Sequence, residues 1–247
     1  MALGRLFGVV LIVLAATACQ KLGFVKQYEY DERVELSLDG SAVVDINASV
    51  AALMALRGAA LDRDPQARFD RRVIRRLYEG PGVTVREVSA YRRHGRRFVH
   101  VRLDVANIAE LPRLAPLSWS RYRLDRIERE FRFVQEVGAA AQVPIADVGW
   151  SGDELTAFRV HLPSRITFHN AQHFERGNIL AWEQPLRDRL VGAPLRMEAR
   201  MEAQSILYRT LWLFGGTFAA AMAVLALIIW WVVRKGRRAV PHDRRST

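Results

Sequence analysis

Thr210 to Val233 reads TLWLFGGTFAAAMAVLALIIWWVV, 24 residues without a charged side chain. A helix rises about 1.5 Å per residue, so roughly 20 such residues cross the hydrocarbon core of a bilayer. A run of this length reads as a membrane span and not as the buried helix of a soluble domain. Trp212 stands near one end, and Trp230 and Trp231 near the other, where amphipathic rings favour the two interfaces. Arg234, Lys235, Arg237 and Arg238 follow at once. The positive-inside rule then makes residues 234–247 a basic cytoplasmic tail and puts everything before Thr210 outside the cytoplasm.

The other end of the chain supports that topology. Met1 to Cys19 reads MALGRLFGVVLIVLAATAC, with Arg5 in a short polar start, an apolar run from Leu6 to Ala16, and small residues before the cysteine. That is the composition of a secretory signal, and its apolar run is too short for a stable span. Ala16-Thr17-Ala18-Cys19 resembles a bacterial lipobox, although that pattern prefers Leu three residues before the cysteine. Lipidation of Cys19 is the expectation. The alternatives are cleavage after Ala18 or an uncleaved leader carrying a thiol. Cys19 is the sole cysteine, so no internal disulfide exists. Residues 20–206 are expected to form one extracytoplasmic domain, large enough to rest on its own core.

Net charge points to the kind of partner. The chain carries +11, with a sequence pI near 10.7. Divided along the chain, residues 20–209 hold +5 and the two ends hold the rest. A domain outside the cytoplasm does not meet nucleic acid, so anionic lipid headgroups are the better match for the surplus. Arg outnumbers Lys 34 to 3, and the guanidinium suits phosphate.

Within the domain, residues 28 to 47 read as a hairpin turning at Asp39-Gly40, because Val34, Leu36 and Leu38 alternate with polar residues and Val43, Val44 and Ile46 return. Ser49 caps a helix from Val50 to Arg57, which Gly58 ends. A second helix is expected from Gln66 to Tyr78, with Phe69, Val73 and Leu77 on its apolar side. Arg68, Arg71, Arg72, Arg75 and Arg76 fill much of the remainder against one acid, Asp70. A solvated face is the plainer reading of this basic amphipathic helix, and a grip on anionic headgroups the sharper one. Val83 to Tyr91 and Arg97 to Val105 form a second hairpin, with a basic tip from Arg92 to Arg97 that reads as a solvated turn or a second phosphate contact.

Tyr122 to Val137 fits either a helix or a strand, and its aromatic alternation leans to a strand containing a bulge. Further strands are expected at Glu154 to His161, Ile166 to His169, Asn178 to Trp182 and Leu195 to Glu202. Glu198 to Tyr208 reads alternatively as a helical stalk continuing into the span. The sum is an α+β fold: an antiparallel sheet with short packed helices, plus one C-terminal transmembrane helix.

The catalytic signatures of hydrolases and nucleotide enzymes are missing: there is no G-x-S-x-G, no G-x-x-x-x-G-K and no G-x-G-x-x-G. His169 and His173, with Glu175 nearby, would share a face only on a helix, and the Glu directly after the first His of a zincin is absent. They read as surface or strand-end histidines. No cofactor and no enzymatic activity are expected.

The segment Leu162 to Leu186, LPSRITFHNAQHFERGNILAWEQPL, resembles the C-terminal part of LppM-type bacterial envelope lipoproteins. The matching residues are Asn170 after a strand, the turn pair Gly177-Asn178, and Trp182 on the strand that follows. The layout of signal, α+β domain, single span and basic tail is similar too. The resemblance implies a non-enzymatic domain with a concave apolar face, in a family associated with lipids or glycolipids. The expected function is a membrane-anchored binding module for a lipid-like envelope molecule, with Arg68 to Arg76 meeting its phosphate. The alternative is an assembly factor that binds another envelope protein, using the small residues Gly215-Gly216 and Ala219 to Ala221 for close helix approach.

Overall fold

The chain is described here from a computed structural model, which covers residues 26–62, 64, 66–141, 143, 148 and 150–237. Cys19 and the expected leader lie outside the described residues.

The first hairpin forms as the alternation requires. Strand β1 (Tyr28–Leu36) pairs antiparallel with β2 (Ala42–Ser49) across a turn in which Gly40 holds φ at 86°. Helix α1 (Val50–Arg57) follows directly. The Ser49 side chain accepts from the Ala52 amide, and Gly58 closes the helix in the left-handed region. Helix α2 (Arg71–Leu77) is shorter than the periodicity suggests, because the Asp70 carboxylate accepts from the Arg72 and Val73 amides and starts the helix there. Arg68 and Phe69 therefore lie in the extended lead-in. Ile74 and Tyr78 are the residues it buries, while Phe69, Val73 and Leu77 are only half-buried.

Strands β3 (Val83–Arg93) and β4 (Arg96–Val105) make the second hairpin, turning at His94-Gly95 with φ of 50° and 73°. Two 3-10 segments, Ile108–Arg113 and Ala115–Leu117, lead on. The ambiguous stretch resolves into two strands, β5 (Ser120–Ile127) and β6 (Glu130–Val137), where the sequence suggested one strand with a bulge. The break is a tight turn with Glu128 at φ 53°. The order continues with β7 (Leu155–His161), β8 (Ser164–His169), β9 (His173–Glu175), β10 (Ile179–Pro185), α3 (Leu186–Leu190), β11 (Leu195–Ser205) and α4 (Ile206–Arg237). The alternative of a helical stalk from Glu198 is corrected: the strand persists to Ser205 and then changes directly to helix.

The class is α+β, but the sheet is divided and mixed. A seven-stranded sheet has the order β3-β4-β2-β1-β7-β10-β9, and a four-stranded sheet the order β5-β6-β11-β8. All pairings are antiparallel except β1 with β7, which run parallel in register from Tyr30–Thr156 to Glu35–His161. The antiparallel expectation fails at this pair because period-2 alternation fixes which face a residue takes and not which strand it joins.

Tyr30, Val34, Val44, Ile46, Val99, Val101, Leu103 and Phe158 line the inner face of the large sheet, each at most 1% exposed. Phe133, Met197, Ala199 and Met201 of the small sheet, with Leu53 and Leu56 of α1, pack into the same core. The apolar sheet face implied by the resemblance is filled by the protein's own side chains. Helix α4 is different. Its stretch Thr210–Val232 is long and apolar enough to cross a membrane, with mean hydropathy 2.2 and none of it buried against the rest of the chain.

Candidate functional site

The arginines expected on the second helix divide into two groups. Arg68, Arg71, Arg72 and Arg76 are exposed. Arg75 is half-buried, and its Nη1 donates to the Val85 carbonyl of β3 at 2.6 Å, so this guanidinium holds α2 to the sheet edge. No carboxylate pairs with the four exposed arginines among the described residues.

Under the lead-in to α2 lies a half-enclosed pocket of about 200 Å³. Val50, Leu61, Phe69, Val73 and Ile74 give it an apolar floor, while Arg68 and Arg97 stand at its polar side with Asp62 and Asp70. Sites that take whole drug-sized ligands run from about 300 Å³ upward. This pocket is therefore large enough for part of an amphiphile only. A larger depression of about 840 Å³ lies at the opposite end of β3 and β4, lined by Leu36, Ala42, Val83, Thr84, Arg86 and Asp104 among others, and it is shallow and open.

The basic hairpin tip is not a solvated turn. Arg97 is 7% exposed, donates to the Asp62 carbonyl, and lies 5.6 Å over the Phe69 ring. Arg96 reaches the buried carboxylates of Glu29 at 3.1 Å and Glu154 at 3.6 Å. Arg93 donates to the Tyr28 carbonyl and stacks on Phe98 at 4.9 Å. Backbone amides of Ser151 and Gly152 also donate to Glu154, and they hold its carboxyl below the usual range against the opposing cost of burial. Arg92, which is exposed, donates to the Ala67 carbonyl. Three tip arginines thus close the fold over the start of β1.

A second buried polar group joins the two sheets. The Glu32 carboxylate on β1 accepts from the hydroxyls of Tyr30 at 2.7 Å and Tyr122 at 2.6 Å, and from the Gln135 amide at 2.8 Å. Burial raises its pKa, and these three donors partly offset that. Nearby, Trp119 lies between the Arg57 and Arg189 guanidiniums, 4.7 and 5.1 Å from its centroid. No sequence signal marked Glu32, because two of its three donors come from β5 and β6, 90 and 103 residues away.

His169 and His173 end on different sheets. His169 stacks against Phe174 at 6.0 Å, and His173 faces Glu183 at 3.7 Å. No group of three metal-ligating side chains occurs among the described residues.

The residues that carried the family resemblance serve the fold. Asn170 Oδ1 accepts from Trp182 Nε1 at 3.0 Å and from the Glu198 amide at 2.9 Å, while its Nδ2 donates to the Arg196 carbonyl at 2.9 Å. One side chain thereby ties β10 of the large sheet to β11 of the small one. Gly177 and Asn178, both at positive φ, make the β9–β10 turn, and Asn178 Nδ2 donates to the Ser164 carbonyl at 3.0 Å.

No family profile and no curated protein matches this sequence. Among solved structures, the chain is similar to the NMR structure of the folded domain of LppM from Mycobacterium tuberculosis. The two share 17% sequence identity over 74% of this chain and 94% of that one, with a TM-score of 0.40. This is a loose likeness of fold.

Proposed function

We propose that this chain is a membrane-anchored, non-enzymatic envelope module, held by α4 with its domain on the extracytoplasmic side of a bacterial membrane. Its task is to bind an anionic lipid or lipid-like envelope molecule. The observation that carries this reading is the set of exposed guanidiniums of Arg68, Arg71, Arg72 and Arg76, which pair with no carboxylate among the described residues, beside a small apolar pocket. Guanidinium forks match phosphate oxygens in two-point hydrogen bonds. The pocket under Phe69 takes an apolar portion next to that phosphate, and its volume limits this to a fraction of an acyl chain. Nucleic acid is not among the partners, because the domain faces away from the cytoplasm.

Native mass spectrometry of the full-length protein, released from detergent after exposure to envelope lipid extract, tests this reading. A bound lipid that is lost on denaturation and depleted in the Arg68→Glu/Arg72→Glu variant supports it. Equal occupancy in variant and wild type removes α2 as the site. A clean apo mass for both turns attention to a protein partner.

A further inference from the structure

The register of the strands fixes which end of the domain lies against the bilayer. Only residues 206–209 separate the end of β11 from the apolar stretch that begins at Thr210, a rise of about 6 Å on a helix. Ser205 therefore stands at the headgroup zone of the bilayer that carries α4. Ser164 is its partner across the ladder, and the chain enters β8 there directly from the end of β7 through Leu162 and Pro163. The end of β7 is level with the end of β1, where Glu35 pairs with His161. From there the ladder runs across to the start of β2, where Leu36 pairs with Ala42. Ala42 in turn pairs with Val105 at the end of β4, and Val105 with Val83 at the start of β3. One rim of the large sheet is thus the α4 side.

Strands β3 and β4 run from that rim for 11 and 10 residues, roughly 33 Å at 3.3 Å per residue. Their far tip holds the segment that leads into α2: Arg92 donates to the Ala67 carbonyl, Arg97 donates to the Asp62 carbonyl, and Phe69 lies under Arg97. Arg68 shares a pocket with Arg97. The N-terminal part of the arginine face consequently belongs to the end of the domain away from α4.

Charge follows the same axis. At the α4 side the turns and strand ends hold Asp39, Glu79, Asp125, Glu128, Glu130 and Glu175 against Arg76, Arg126, Arg129, Arg165 and Arg176, with no basic surplus among these described residues. The far end has the exposed Arg68 and Arg92, with Arg71 and Arg72 following on the first turn of α2, against the exposed Asp62, Asp64 and Asp70. Screening at physiological salt limits charge attraction to about 8 Å, so headgroups some tens of ångströms away exert little pull.

We infer that the Arg68–Arg72 end faces away from the bilayer that holds α4 and engages anionic headgroups of an opposing membrane. This rests on the lipid-binding reading above and adds which membrane supplies the anion.

The test uses full-length protein in two nanodisc hosts, one of phosphatidylcholine and one also containing phosphatidylglycerol. Each is mixed with phosphatidylglycerol vesicles and assayed by co-flotation. Recruitment of vesicles by both hosts to the same extent, lost at high salt and reduced tenfold or more by Arg68→Glu/Arg72→Glu, is the expected result. Recruitment by the phosphatidylcholine host alone means that the arginines are already occupied by their own leaflet, which overturns the inference and leaves lipid binding intact. Recruitment by neither host, with lipid still bound in native mass spectra, also overturns the inference alone. If the mass spectra are clean as well, the lipid-binding reading falls with it.

Discussion

Arg68 to Arg76 puts five guanidiniums on or beside one short helix, and Arg92 to Arg97 puts four on one hairpin tip. On the helix, four of the five point to solvent and only Arg75 reaches a protein acceptor. On the tip, Arg93, Arg96 and Arg97 each turn inward onto an aromatic ring, a buried carboxylate or a carbonyl. Both runs have the same residue type at nearly the same density. What separates them is the surface each is carried past. The tip crosses the start of β1 and the turn before β7, where Glu29 and Glu154 are buried and need a cation. Helix α2 lies along the edge strand β3, which offers it carbonyls and little else. A cluster of arginines thus becomes a structural clasp where carboxylates lie buried beside it, and stays open to solvent where they do not.

The strongest challenge to this contrast is Arg96→Ala. It leaves two buried carboxylates without their cation, and a cost of about 3 kcal/mol in urea unfolding is expected, at the low end for a broken buried pair because both acids keep other donors. A change as small as that of a helix arginine would break the comparison. Asn170→Ala comes next. It removes the side-chain acceptor of the half-buried Trp182 Nε1 and two exposed hydrogen bonds that water can replace, to the Glu198 amide and the Arg196 carbonyl, so a cost of about 1 kcal/mol is expected while bound lipid in native mass spectra stays unchanged. Loss of lipid without loss of stability would instead make Asn170 a ligand contact.

A smaller effect separates the two kinds of buried acid by pH. Burial raises the Glu32 pKa, so the folded state holds its proton more tightly than the unfolded chain, whose value is about 4.3. The stabilisation linked to that proton is present below the unfolded value and is lost as pH rises through the folded one. Glu154, held below its ordinary value, behaves in the opposite sense and loses its contribution as pH falls. Glu32→Gln is therefore expected to gain stability relative to wild type when unfolding is compared first below pH 4.3 and then at neutrality, starting from a deficit set by the altered hydrogen bonds. A constant difference across that range would show that Glu32 ionises as in the unfolded chain. The smallest effect belongs to Arg72→Ala, within about 0.5 kcal/mol of wild type in the same unfolding measurement.

Much of this was legible in local sequence. The Asp39-Gly40 and His94-Gly95 turns, the Ser49 cap with its Gly58 stop, and the alternation of Val99, Val101, Leu103 and Val105 all appear where local chemistry puts them. The apolar run from Thr210 was legible as a helix long and apolar enough to cross a membrane, since length and lack of charge depend on no other part of the chain. The exposure of Arg68, Arg71, Arg72 and Arg76 was legible for the same reason, since exposure is the default for a charge without a partner, whereas the bond of Arg75 to the Val85 carbonyl was not.

Tertiary structure alone decided the rest. The parallel pairing of β1 with β7, the split into two sheets, the Glu32 cluster and the inward turn of Arg96 and Arg97 each join residues far apart in the chain. Periodicity states which face a side chain takes, and it is silent on what will stand opposite. A buried charge becomes tolerable only when a distant segment brings its counterion or its hydrogen-bond donors, so its fate is settled by the pairing of strands and not by the run of residues around it.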